Sequence, residues 1–279
     1  MLRSHETSLR TLAATRAGDD NDMTAVRHAQ AHPSAHTHRS VDPSTPNRGR
    51  HALNARFGAD DGNDVALGHV DRPTWRGGIH VIGLVVAVPA VSALLVNSTG
   101  DTRFRLSLVV YAVGLCSMLG ASATYHRWVH ALKARCVWRR VDHAAIFAAI
   151  AGSSTPIVAA ALPGLPGLVL VGSIWSSALL GAWFKLSRWG SGDRAGMAMY
   201  AVTIALGAVA LPWLWAREGM GPAVFVVTGG IFYLIGAAGF AKRWPTLRPT
   251  VFSYHEVWHV FTILAAAAQF VAIWMLATS

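Results

Sequence analysis

Apolar residues are gathered into seven long stretches that occupy the chain from about residue 79 to its end. The stretches cover approximately residues 79–97, 106–126, 141–160, 167–184, 196–216, 221–241 and 252–277. Each is close to the ~20 residues that a helix needs to cross a bilayer. Because lipid tolerates no open sheet edge, the pattern predicts an all-α membrane protein, a seven-transmembrane helical bundle over residues 73–279.

The number of spans depends on how the short break at residues 161–166 is interpreted. This segment reads Ala-Leu-Pro-Gly-Leu-Pro, and its prolines and glycine are typical of a turn between two helices. If the segment were instead a kink within one helix, the count would fall to six. We predict seven spans, because the distribution of loop charge agrees with seven.

Basic residues are distributed unequally between the two sides that seven spans define. One side receives only Arg103, Arg105 and Arg217. The other side receives 13 basic residues, namely Arg72, Arg76, Arg127, Lys133, Arg135, Arg139, Arg140, Lys185, Arg188, Arg194, Lys242, Arg243 and Arg248. Loops rich in lysine and arginine remain in the cytoplasm. The sequence therefore predicts a multi-pass protein of the plasma membrane with a cytoplasmic N-terminus and an external C-terminus.

The first 72 residues differ in composition from the rest of the chain. Residues 1–72 hold 9 arginines, 9 acidic residues and 7 of the 13 histidines, with no apolar periodicity. Too little apolar surface is available there to offset the entropy of ordering, which predicts a disordered polar tail. Its cluster of His32, His36 and His38 could hold a metal loosely, although a solvated tail is the simpler interpretation.

The charge of the apolar part limits the possible classes of protein. Only 14% of all residues are charged, against about a quarter in soluble domains. The formal net charge of +10 lies entirely in residues 73–279, since the tail is neutral. We therefore exclude a cytosolic globular enzyme, and we expect membrane lipids rather than nucleic acid as partners.

A few ionisable residues lie inside or beside the predicted spans, where a central charge costs ~3 kcal/mol on insertion scales. Ser122 and His126 are four residues apart near the end of the second span, and so share one helical face. His255 and His259 share a face in the first turns of the seventh span. Asp142 opens the third span. The predicted topology places these side chains at a similar depth near the cytoplasmic face.

Three imidazoles with an open fourth position are typical of a catalytic zinc site. His126, His255 and His259 are therefore candidate ligands of Zn²⁺, which lowers the pKa of bound water to about 7 and suits hydrolysis of an amide or ester. Asp142 is expected to assist that water or to orient a ligand imidazole, and Ser122 to add a hydrogen bond. The simpler alternatives are a packing role for the histidine of the second span, and a surface ion pair between the aspartate and the two arginines before it.

Residues 255–259 also match the zinc-protease motif HExxH, which assigns Glu256 as a general base. Only 20 residues follow His259, and none of them is His, Asp, Glu or Cys. A third ligand would have to come from upstream, unlike the usual arrangement in such proteases. We therefore favour a contact between Glu256 and a lipid head group or a loop arginine.

Four short motifs occur together in the apolar part. They are Ser-Ala-Thr-Tyr-His (122–126), Arg-Arg-Val-Asp-His-Ala-Ala-Ile-Phe (139–147), Ala-Gly-Ser-Ser-Thr-Pro (151–156) and Tyr-His-Glu-Val-Trp-His (254–259). In combination they resemble the hemolysin III family, the bacterial branch of the progestin and adipoQ receptor superfamily. The segment 78–83 looks like the end of the family's first-span motif. Arg76 and Pro73 stand where that motif expects Asn and Glu.

The resemblance implies seven spans, a cytoplasmic N-terminus, and zinc held by His126, His255 and His259, with Asp142 and Ser122 beside the metal. Relatives include alkaline ceramidases and receptors that look like lipid-amide hydrolases, which favours a metal-dependent hydrolase acting on a lipidic amide or ester. The family name implies pore formation instead. The alternative is therefore a pore-forming or signalling membrane protein in which a fourth protein ligand, for which Asp142 is the obvious candidate, closes a structural zinc site.

Overall fold

A computed structural model of the protein describes residues 73–187 and 194–279, and this part of the chain folds into helices. They are α1 (Gly78–Asn97), α2 (Thr102–Ala123), α3 (Leu132–Ala161), α4 (Leu165–Leu186), α5 (Arg194–Ala208), α6 (Leu211–Glu218), α7 (Met220–Ala241) and α8 (Tyr254–Thr278). They provide seven membrane-length spans with mean hydropathy between 1.6 and 2.5, α5 and α6 together forming the fifth. The predicted all-α bundle of seven spans is confirmed. The tail, with its histidine cluster, lies outside the described residues.

The break at residues 161–166 is a turn, as the sequence predicted. α3 ends at Ala161 and α4 begins at Leu165. Gly164 between them has a positive φ of 80°, which L side chains rarely adopt. Pro166 follows in the first turn of α4, where its missing N–H is not needed. The count of seven rather than six therefore follows from local backbone chemistry.

α3 begins well before the apolar stretch from which it was predicted. It starts at Leu132 instead of near residue 141, so the basic residues between these positions lie on its first turns and not in a loop. Lysine, alanine and arginine are all good helix formers, which explains the extension. Asp142 consequently lies about three turns into the helix rather than at its start, which corrects the prediction.

The fifth span is broken, which its continuous apolar pattern did not predict. α5 ends at Ala208 and α6 begins at Leu211. Pro212 has no N–H to donate to the carbonyl of Ala208, and proline favours the first turn of a new helix. Tighter bonds from the N–H groups of Val209 and Ala210 to carbonyls three residues earlier join the two helices.

The bundle has two chemically different ends. α1, α3, α5 and α8 begin at the end where α2, α4 and α7 finish. That end, which we call the basic end, carries most of the described basic side chains, among them Arg76, Arg127, Arg139 and Lys242. The opposite end carries Arg103, Arg105 and Arg217. The candidate site lies at the basic end.

Candidate metal centre

The end of α2 departs from α-helical geometry where it carries the first candidate ligand. Thr124–Trp128 form a π-helical turn that contains His126, a type of turn frequently found at functional sites. Gly77, at the start of α1, packs against this turn with φ 79°, and a Cβ there would lie 2.8 Å from the Cβ of His126. Only glycine therefore permits this close approach of α1 to the turn.

α8 begins with a capping box that positions the other two candidate ligands. The Ser253 hydroxyl accepts a hydrogen bond from the backbone N–H of His255 at 3.3 Å. The Ser253 N–H in turn donates to Glu256 Oε2 at 2.7 Å, so the first N–H groups of the helix are satisfied. The ring of His255 packs edge-on against Phe240 of α7, with ring centres 5.2 Å apart.

The three imidazoles that the sequence singled out meet at the basic end. His126, His255 and His259 are buried, and each offers a nitrogen atom within 4.8 Å of those of the other two. Their ring centres are 4.7, 4.8 and 5.0 Å apart. Tetrahedral zinc with bonds of 2.0–2.1 Å needs its ligand atoms ~3.4 Å apart, which small side-chain rotations would achieve. These residues, which we call the histidine triad, therefore fit a metal ion.

Asp142 lies beside the histidine triad, and Ser122 is one helical turn away from it along the chain. The carboxylate Oδ2 of Asp142 is 3.6 Å from Nε2 of His126. Asp142 is only 8% exposed, so it does not lie at the surface, where the ion pair with its arginine neighbours was expected. Ser122 is buried in the last regular turn of α2, four residues before His126. The π-helical turn begins between these two residues, so their relative direction is not the one that an ideal α-helix gives.

Both carboxylate oxygens of Glu256 accept hydrogen bonds, and only one of the two partners is of the type that the sequence predicted. Its Oε1 accepts a hydrogen bond from Nε of Arg76 at 2.5 Å, and its Oε2 accepts bonds from the hydroxyl and N–H of Ser253. Glu256 and Arg76 are 1% and 8% exposed. The expected contact with a loop arginine is confirmed. A general base needs an oxygen within reach of the substrate, so these contacts argue against the zinc-protease alternative.

Arg76 and Ser253 were not among the predicted site residues. A signal for Ser253 was present, because serine followed three residues later by glutamate is the pattern of a capping box. Arg76 and Glu256 are 180 residues apart in the sequence, and no local pattern pairs residues so distant. Arg76, which stands where the family motif expects Asn, therefore has a specific structural role as the partner of Glu256.

The segment that precedes α1 ties the parts of the site together. In this segment, residues 73–77, the Thr74 N–H donates to the carbonyl of Thr250 at 3.1 Å. The guanidinium of Arg127 donates to the carbonyl of Thr74 at 3.2 Å. The segment thus bonds both to the π-helical turn at the end of α2 and to the loop just before α8. That turn and α8 are the two elements that carry the histidine triad.

A fourth imidazole, that of His80 in the first turn of α1, lies against the triad. Its ring centre is 4.0 Å from that of His259, and the residue is 3% exposed. Neither ring nitrogen of His80 has a hydrogen-bond partner among the described residues, and the same holds for Nδ1 of His259. The sequence marks His80 as a polar residue within a span, but it predicts no role for it.

Known proteins resemble this chain across the region that forms the bundle. The profile of the family described as Haemolysin-III related matches residues 69–270. Hemolysin-3 of Bacillus cereus is 28% identical over 193 residues, which are 68% of this chain and 85% of that protein. The Hemolysin-3 homolog of Bacillus subtilis (strain 168) is 27% identical over 194 residues, 68% of this chain and 87% of that protein. Because the profile covers most of the chain, including six of the spans and most of the seventh, the protein belongs to the hemolysin III family.

Proposed function

We propose that this protein is a zinc-dependent hydrolase that cleaves an amide or ester bond of a lipid. The observation that carries the proposal is the histidine triad, whose nitrogen atoms lie within 4.8 Å of one another in a buried position. Among the described residues, this group of ligand atoms contains three imidazoles and no carboxylate. Three protein ligands leave one position open, which is typical of catalytic rather than structural zinc.

The chemistry divides between the metal and the side chains beside it. Bound zinc polarises a carbonyl group and activates water at neutral pH. Asp142, whose Oδ2 is 3.6 Å from the ring of His126, would accept the proton that the attacking water loses and return it to the leaving amine or alcohol. Water adds to the carbonyl carbon, the C–N or C–O bond breaks, and a carboxylic acid is released. Ser122 would donate a hydrogen bond that holds the reacting group.

A lipidic substrate suits the position of the site in the bundle. Trp75, Trp128 and Trp244 are exposed at the basic end, and tryptophan side chains favour the head-group level of a bilayer. Amide and ester bonds of lipids lie at the boundary between head groups and acyl chains, close to this depth. We also expect the basic end to face the cytoplasm, because positively charged segments are retained there.

Metal content and hydrolysis test the proposal on the same protein samples. We expect about one zinc per chain by elemental analysis in wild type and in His143→Ala, and none in His259→Ala. His143 is the matched control, because its Nδ1 faces the carbonyl of Arg139, at 2.7 Å, within its own helix. Fatty-acid release from a panel of lipid amides and esters should be lost in His259→Ala. Wild-type protein without zinc, or without release from any substrate, would contradict the proposal.

The second candidate function is a pore-forming or signalling protein with a structural metal site. Two relatives carry the name hemolysin, and Asp142 is close enough to His126 to become a fourth ligand after a small rotation. Asp142→Ala separates the two functions. The hydrolase predicts a variant that keeps zinc and loses fatty-acid release, whereas a closed structural site predicts loss of the zinc itself. Dye release from liposomes measures pore formation directly.

A further inference from the structure

His80 is a buried imidazole that lacks a hydrogen-bond partner in the described chain. Both of its ring nitrogens are inaccessible and unpaired. Leaving a buried polar group unpaired is destabilising, and folded proteins seldom keep one without a bound water, ion or functional reason. His80 therefore needs a polar partner that the described residues do not supply.

The position of that partner follows from the neighbours of His80. Its ring lies 4.0 Å from that of His259, whose Nδ1 is also unpaired. Asp142 and His126 are close enough to interact with it electrostatically. The unpaired nitrogens of His80 and His259 therefore belong to two rings in contact at the histidine triad, where a molecule bound to a metal there would lie.

His80 is poorly placed to be a fourth metal ligand. The group of ligand atoms that lie within 4.8 Å of one another does not include its nitrogens. A neutral imidazole carries one N–H donor, and a carbonyl or carboxylate oxygen held beside the metal is an acceptor that this donor can satisfy. A donor aimed at that oxygen also stabilises the negative charge that develops on it during hydrolysis.

We propose that His80 is a substrate-binding residue whose ring N–H donates a hydrogen bond to the acyl oxygen of a lipid held beside the histidine triad. The inference rests on the proposed function, because the acyl group is the one that the metal site would cleave. It assigns a role to α1, which otherwise contributes no residue to the reaction. The acyl oxygen would then be held between the metal on one side and His80 on the other.

Oleate binding tests this inference without turnover. Oleate is the acyl product that amide and ester hydrolysis share, and it carries the same oxygen atoms. Zinc content and oleate affinity would be measured by elemental analysis and calorimetry on the full chain in one detergent, for wild type, His80→Ala, His80→Asn and His143→Ala. We expect unchanged zinc in all four, and an oleate Kd about 10-fold or more weaker in His80→Ala. His80→Asn keeps a side-chain N–H and should bind oleate more tightly than the alanine variant.

Several outcomes would overturn the inference. They are an unchanged oleate affinity in His80→Ala, loss of zinc from that variant while it stays folded, and no oleate binding by zinc-loaded wild type. An ordered water as the real partner would produce the first outcome. Where the alanine variant does not fold, His80→Leu removes the N–H at similar volume. Wild-type protein that binds oleate through His80 but hydrolyses no lipid would refute the hydrolase and leave the binding role standing.

Discussion

Arg76 and Glu256 illustrate how single residues at the site are held by specific partners. Their side chains form an ion pair that is almost completely removed from solvent. In such a pair, the loss of one partner leaves the other charge buried without compensation. The stability of the basic end therefore depends on both residues being present or both being absent.

We predict that Arg76→Leu and Glu256→Leu each lower the free energy of unfolding by about 3–5 kcal/mol. The double variant should lose less than the sum of the two, because no isolated charge remains. Chemical unfolding in detergent measures all three. Arg217→Leu, at an exposed position of the opposite end, is the control and should change stability by about 0.5 kcal/mol at most. Strictly additive losses would show that the two side chains are not coupled.

Gly77 and Gly164 share an unusual backbone conformation but differ in how closely other residues approach them. Both have a positive φ, but only at Gly77 would a Cβ meet the backbone and side chain of His126, since nothing lies within 4 Å at Gly164. We predict that alanine at either position costs about 1 kcal/mol or more from the backbone alone. Only Gly77→Ala should also weaken zinc binding in a competition titration. Equal zinc affinities in the two variants would contradict the proposed role of this contact.

The histidine triad could be predicted from the sequence, whereas the contacts that Arg76 and Gly77 make around it could not. Helical spacing pairs His255 with His259, and the parity of seven spans brings His126 to the same depth. The pairing of Arg76 with Glu256, and the contact of Gly77 with the π-helical turn, depend on how distant segments pack. Such contacts leave no periodic signal in the chain.

At the scale of elements, the sequence predicts the apolar middle of each span well, but it predicts the residues at which helices begin and end less well. The beginning of α3 was missed because its first turns are polar, and the break between α5 and α6 was missed because both halves are apolar. The π-helical turn that ends α2 had no visible sequence signal. Hydropathy reports on contact with lipid, while helix ends are set by caps and prolines.

The N-terminal cap of α8 stabilises the turn of the helix that carries His255. Ser253→Ala should lower stability by about 1 kcal/mol through loss of the cap, and should also weaken zinc binding because His255 lies in the capped turn. Asp101→Ala is the matched control, because Asp101 caps α2 at the opposite end by accepting from the Phe104 N–H at 2.8 Å. It should lose similar stability with unchanged zinc affinity. A similar fall in zinc affinity in both variants would indicate a general effect of instability.

At the scale of the whole molecule, the histidine triad and most described basic residues share one end of the bundle. Positive charge of this kind is retained in the cytoplasm. The orientation therefore decides from which compartment solutes can reach the proposed metal site.

We predict that Thr246→Cys, in the loop between α7 and α8, faces the cytoplasm and that Ser279→Cys faces outward. Both positions are exposed. After Cys116 and Cys136 are replaced by alanine, a membrane-impermeant thiol reagent applied to intact cells should label only Ser279→Cys. Thr246→Cys should react once the cells are made permeable. The reverse labelling pattern would invert the topology.

The contacts between the segment before α1 and the region around α8 also constrain how the protein is made. The carbonyl of Thr250 and the carboxylate of Glu256 join residues near the start of the bundle to residues near its end. During synthesis, His126 enters the membrane long before His255 and His259 are translated. The histidine triad therefore cannot assemble before the last helix is made, and its completion coincides with insertion of that helix. Occupancy of the proposed metal site would thus mark a finished protein, distinguishing it from truncated or stalled products that quality-control proteases must remove.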